Sequence, residues 1–160
     1  LLSHLGAETT AINGKIHKKE YLINLGASKV LNREEFIAST RLPLTKKEFH
    51  GAIDTVGGEI LSSIVARLEY GGTVAVCGNV SGPHFKTTVF PFILRSNRLI
   101  GIDSAECSID QKKLIWQNYN SVWKLNSLDE FAREVELAKL VPEFQKILKG
   151  DQVGRILVKI

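Results

Sequence analysis

The chain has 160 residues, of which 44% are apolar and 24% charged, the mix of an ordinary globular domain with a real core. A net charge of +4, mixed with acidic residues, excludes the broad basic face of a nucleic-acid binder, and no apolar run reaches the roughly 18 residues that span a bilayer. Cys77 and Cys107 form neither a disulfide framework nor a Cys-x-x-Cys site, and the four histidines lack metal-ligand spacing, so reduced thiols, no metal and a cytoplasmic location are expected.

The chain contains no Met and opens at Leu1 without the marks of a signal peptide, so it is expected to start downstream of a natural translation start. Leu1 to Leu5 reads as the end of a helix stopped by Gly6. Thr9 to Asn13 is a short strand, Lys18 to Leu25 a helix closed by Gly26, and Lys29 to Leu31 another strand. Residues 34–50 carry no clear pattern, and Pro43 breaks any long helix there. Gly51 to Val56 reads as a strand turning at Gly57-Gly58. Ile60, Leu61, Ile64, Val65 and Leu68 then fall at helical spacing, with Gly71-Gly72 ending the helix. Thr73 to Cys77 is a continuous apolar run of the kind buried in a parallel sheet, and Leu99 to Ile102 is the next strand. Beyond Asp103 a helix is predicted over 109–123, and Ser127 with Glu130 reads as a capping box for a further helix. Pro142 suits the first turn of a helix ending at Gly150, and Arg155 to Ile160 is a terminal strand.

This alternation predicts an α/β fold, a Rossmann-like doubly wound parallel sheet. Such a sheet opens with a strand, a Gly-rich turn and a helix, and neither the first strand nor the G-x-G-x-x-G turn is present. Past the first strand that is present, Asn13, Gly14 and Lys15 stand where an NAD-specific fold tends to place a carboxylate. Donors and positive charge there suit a 2′-phosphate; a solvated basic start to a helix accounts for them equally well. Gly78 and Asn79 follow a buried strand at the end where open sheets bind ligands, and a plain turn is the competing reading. Asp54 and Thr55 share that ambiguity, since Asp54 could cap its own turn. Ser104 could reach a nicotinamide ribose or a neighbouring amide. No catalytic triad or paired carboxylates are visible.

The stretches GAIDTVGG (51–58), YGGTVAVCGNVSG (70–82), TTVFPFILRSNRLIGIDS (87–104) and GRILVKI (154–160) resemble the medium-chain dehydrogenase/reductase superfamily. The resemblance is closest to its zinc-free acrylyl-CoA reductase and quinone oxidoreductase branch. It implies a partial NADP-binding Rossmann domain over 1–104 and a segment, 105–160, that returns to a catalytic domain not contained in this chain. It places 2′-phosphate contacts on Asn13, Gly14 and Lys15, an adenosine-side contact on Arg33, and nicotinamide-side contacts on Asn79, Ile93 and Ser104. Lys15 stands where the family commonly has Arg, and Asn13 where it has Ser or Thr. The resemblance also implies a short strand near Val135 to Leu137, although local pattern alone reads 127–139 as helical.

The function so implied is NADPH-dependent reduction of a small activated alkene, acrylyl-CoA-like or quinone-like, by an enzyme of which this chain is the cofactor-binding part and inactive alone. The alternative is a non-catalytic NADP-binding regulatory module. A homodimer through the edge strand at 98–103 is expected, as is a terminal strand made to pair with a sheet outside this chain.

Overall fold

A computed structural model describes residues 1–125 and 128–160, with only the backbone described at 129 and 130. Its elements are β1 (Thr10–Asn13), α1 (Lys19–Asn24), β2 (Lys29–Asn32), α2 (Arg33–Ala38), β3 (Phe49–Asp54), α3 (Gly58–Val65), β4 (Leu68–Val76), α4 (Phe90–Arg95), β5 (Arg98–Gly101), α5 (Ile109–Tyr119), β6 (Ala132–Glu136), α6 (Leu140–Leu148) and β7 (Arg155–Lys159). All strand pairs are parallel, so the fold is α/β and Rossmann-like. No described helix is long and apolar enough to cross a membrane.

The chain forms two compact units, Leu2–Leu114 and, with Leu1, Ile115–Ile160. In the first, β1 pairs with β2, and β3, β4 and β5 form a separate three-stranded sheet in that order. β1 and β3 are therefore each bonded along one side only. Both sheets share one core. Phe36 of α2, Ile60, Leu61, Ile64 and Val65 of α3, and Leu68 and Val74 of β4 are buried together, with Ile12 and Leu31 of the smaller sheet packed against them. The apolar residues of α3 recur at three- and four-residue spacing, which presents one stripe to the sheet. Arg67, buried at the turn after α3, donates to Glu48, Ser39 and Thr40, and its guanidinium lies 4.6 Å from the Phe36 ring centre. These bonds tie the irregular segment 39–48 to the core.

The structure corrects several expectations. Leu1 to Leu5 is a pair of turns, closed by Leu5 N–H to Leu2 O and Gly6 N–H to Ser3 O, because a five-residue stretch does not offset the cost of helix nucleation. Leu68 belongs to β4, not to α3, which ends at its Ala66 cap. Its burial comes from strand packing against the same core, and this mimics the next step of the helical pattern. Gly71-Gly72 accordingly lies inside β4. There the register jumps from Phe49↔Leu68 to Gly51↔Thr73, and Gly71, at φ +73°, absorbs the surplus residues as a bulge. The helix predicted over 109–123 stops at Tyr119 and gives way to turns.

In the second unit the helix read from pattern over 127–139 is replaced by 3₁₀ turns at Leu128–Phe131 and Leu137–Lys139 flanking strand β6. The implied strand near 135–137 thus lies at 132–136. The capping box falls on Ser127, outside the described residues. β6 pairs with β7 in the register Ala132↔Arg155, so the terminal strand is bonded on one side within the chain. Pairing decides this over helix propensity, since each strand satisfies its backbone groups on the other. Glu143 of α6 is buried between Lys146, at 2.9 Å, and Arg133 of β6. The hydrogen bond from Lys146 foremost, then Arg133, holds its carboxyl below the ordinary glutamate range despite burial. Trp116, Tyr119 and Trp123 meet in series, the first pair tilted and the second edge-to-face, with ring centres 5.8 and 5.7 Å apart.

Candidate functional site

The carboxyl ends of β1 and β2 bring four of the predicted residues together. Asn13 ends β1, and its Oδ1 accepts the Lys15 N–H at 3.1 Å, which folds the chain tightly through Gly14. Lys15 caps the 3₁₀ turn Ile16–Lys18. At the end of β2, Asn32 Oδ1 accepts the Glu35 N–H at 3.0 Å and starts α2. Arg33 is then the first residue of that helix, and its guanidinium lies against Gly14. It pairs with Glu34 at 3.8 Å, beyond hydrogen-bond length. The Arg33 guanidinium thus lies against a glycine that Lys15 follows in the chain, with no acidic residue at positions 13–15, residue types that suit an anion.

A second feature lies at the carboxyl ends of β4 and β5. Val76, Cys77, Gly78, Asn79, Gly101, Ile102 and Asp103 line an open cleft of about 510 Å³. Asn79 is among them. Ser104 is not; it is exposed and follows the lining residue Asp103. Ile93, on α4, is 67% exposed and also outside the lining.

Backbone packing shapes this cleft. A Cβ on Gly78 would lie 2.1 Å from Thr55 O, so only glycine lets the loop after β4 press against the end of β3. Cys77 N–H to Asp54 O and Ser81 N–H to Val56 O join the same two loops. Asp54 is 2% exposed, and its carboxylate accepts the Gly57 N–H at 2.9 Å. Of its two readings, the turn cap is what the structure contains. Gly57, at φ +72°, makes the corner into α3. Asp103 Oδ1 accepts the N–H groups of Ala105 and Glu106, which turns the chain away from the cleft mouth.

Sequence reasoning missed Cys77 and Asp103 as cleft residues. Their place immediately after two buried strands was the available signal. Among the described residues no three His, Cys, Asp or Glu side chains converge as a metal site.

The profile of the zinc-binding dehydrogenase family matches residues 1–119. The chain is 40% identical to YhdH of Escherichia coli, crystallised with bound NADPH; the two structures superpose with a TM-score of 0.91 over 99% of this chain and 48% of the other. Against Bacillus subtilis YhfP, crystallised with NAD bound, identity is 37% and the TM-score 0.92, over 99% of this chain and 49% of the other. Acrylyl-CoA reductase AcuI of Ruegeria pomeroyi is 32% identical over 160 residues, all of this chain and 48% of that protein. The chain thus spans about half the length of the relatives it matches.

Proposed function

Given that this chain belongs to the zinc-binding dehydrogenase family, among the medium-chain dehydrogenases and reductases, we propose that it is the NADP-binding part of a reductase of activated alkenes. The observation that carries the cofactor choice is the Arg33 guanidinium lying against Gly14, next to Lys15 in the chain, with no carboxylate at positions 13–15. Relatives crystallised with NADPH and with NAD both exist, so the choice rests on this chain's own residues. They fit NADP: a phosphomonoester needs charge-assisted donors, and the cluster offers an ammonium and a guanidinium.

On this reading Asn13 holds the turn in shape while Lys15 and Arg33 face the 2′-phosphate. Asn79 and Ser104 are the polar groups on the nicotinamide side, and Ile93 is an apolar contact there. When bound, NADPH supplies the hydride; the protein supplies orientation and a dry cleft. The substrate class, acrylyl-CoA-like or quinone-like, follows the relatives. The zinc-free branch follows the likeness of the PFILR and GIDS stretches. We assign 1–104 to nucleotide binding and 105–160 to packing against a catalytic domain, in a cytoplasmic homodimer.

The test is hydride transfer to acrylyl-CoA and to a small quinone by a polypeptide joining this chain to a catalytic half like that of its relatives. NADPH should be used in preference to NADH; equal use of both ends the reading. An NADP-binding module without catalysis shares the nucleotide cluster and would show preferential binding with no turnover in the same assay.

A further inference from the structure

The turn after β1 contains the chain's only Asn-Gly step; every other Asn precedes a residue that carries a side chain. Asn13 Oδ1 accepts the Lys15 N–H at 3.1 Å, which folds the side chain back over its own backbone. The bond closes a ring to which both the Gly14 nitrogen and the Asn13 Cγ belong. Attack of that nitrogen on Cγ makes a five-membered imide. Gly14 has no Cβ to obstruct its nitrogen, and it is exposed, so water reaches the product. The Lys15 N–H already points at the oxygen on which negative charge grows as the tetrahedral intermediate forms. The Arg33 guanidinium lies against the same glycine, where a Cβ would fall 2.9 Å from Nη2, and its charge favours a developing anion there. Other Asn residues lack this combination. Asn32 Oδ1 also accepts a backbone N–H, that of Glu35, but Arg33 follows it; Asn79 precedes the β-branched Val80, and Asn97 is 6% exposed.

We propose that Asn13-Gly14 is a self-modifying site, at which loss of ammonia and uptake of water replace the Asn13 amide by a carboxylate at the end of β1. The Gly14 nitrogen bonds to Cγ, the C–N bond of the side-chain amide breaks, and the Gly14 proton leaves with the amide nitrogen as ammonia. Water then opens the imide, its hydroxyl going to a carbonyl carbon and its proton to the ring nitrogen. Opening at Cγ gives aspartate; opening at the main-chain carbon gives isoaspartate. Both put a negative charge where a neutral amide stood. On the NADP reading above, on which this consequence alone rests, that charge opposes a 2′-phosphate, so preference for the phosphorylated nucleotide declines as the protein ages.

The experiment is incubation of the folded full chain in neutral buffer made with heavy-oxygen water, at physiological temperature, then trypsin in ordinary water and peptide mass mapping. The tryptic peptide 1–15 has Asn13 as its only Asn or Gln, so the assignment is unambiguous. Its mass should rise by the difference between amide and acid and carry one heavy oxygen, and isoaspartate should appear by methyltransferase labelling. Gly14→Ala should slow the conversion about tenfold. Asn13→Gln, which needs a six-membered ring, should stop it over the same period. A folded chain that stays unmodified while the free peptide 1–15 converts overturns the proposal, as does conversion spread equally over Asn32, Asn79 and Asn120. Calorimetric titration reads the consequence. Asn13→Asp should weaken 2′,5′-ADP binding about tenfold and leave 5′-AMP unchanged, which also shows that the fold is intact. Unchanged 2′,5′-ADP binding by Asn13→Asp overturns the loss of preference. Equal binding of the two nucleotides by the unmutated chain removes the NADP reading and that consequence with it, while the mass map alone decides the modification.

Discussion

On the proposed reading, Lys15 supplies positive charge to the cofactor phosphate. A hydrogen bond from a charged group is worth about 1.5–3 kcal/mol, so Lys15 corresponds to roughly a 10–100-fold preference for the phosphorylated cofactor. Lys15→Glu should abolish or invert the NADPH preference of the polypeptide joined to a catalytic half, read as the ratio of kcat/KM for the two cofactors. Arg95 matters for stability instead. Its guanidinium donates to the carbonyls of Ala66 and Leu68 at 3.1 and 3.0 Å and to Thr45 O at 2.6 Å, closing the end of α3 where the chain turns into β4. Arg95→Ala removes one donor from each of three carbonyls, although Ala66 O still accepts from the Thr45 N–H, and should cost about 2 kcal/mol in denaturant unfolding; a loss under about 0.5 kcal/mol would show that water replaces it freely. The PFILR stretch that marks the family in the sequence thus contains a structural clamp. Its Arg is spelled out in the chain, but the carbonyls it serves lie 27 to 50 residues away, and no local pattern reveals them.

Among the elements, β5 ends its sheet with one side unpaired, and Ile100 and Ile102 remain 45% and 48% exposed. An apolar edge without Pro or an inward charge invites pairing with a copy of itself. Light scattering on the order of tens of micromolar should give a dimer, and Ile100→Lys should give a monomer; a monomeric unmutated protein would count against that interface. The second unit carries a pH dependence. Glu143 has its folded pKa held below the ordinary value of 4.5, so its contribution to stability is complete above that value. As pH falls, the unfolded chain takes up the proton first, and the contribution is lost through the folded pKa. Tryptophan fluorescence from Trp116 and Trp123 should therefore report little change from pH 7 to about 5 and a decline below 4.5, with a shallower decline in Glu143→Gln. β1 to β5 are legible in the sequence because each is a β-branched or apolar run punctuated by Gly. β6 is not legible, because AREVE is polar and becomes a strand only through pairing with β7. The extent of α3 misleads for the opposite reason: Leu68 keeps the helical spacing but is buried by a strand.

Taken as one molecule, the chain carries a nucleotide cluster and a cleft but spans about half of its relatives. An open cleft forfeits the proximity that supplies much of catalysis. The chain by itself should not oxidise NADPH with acrylyl-CoA or a small quinone, whereas the joined polypeptide should; comparable turnover by both would mean that a complete active site lies within these residues. The cluster at Gly14 and Arg33 was half legible: residue types at the end of one strand suggested Asn13 to Lys15 and the family resemblance added Arg33, but only the fold brings positions 14 and 33 into contact. The division of the parallel strands into a pair and a trio also leaves a kinetic signature in solvent. Along a strand bonded on one side, every second amide faces a neighbour and the alternate ones face water. Deuterium should therefore enter residues 10–13 and 49–54 with a period of two, while Thr73 to Val76 of β4, paired on both sides, resist throughout. Any polypeptide that laid a strand along either free side would erase that alternation and leave uniform protection in its place.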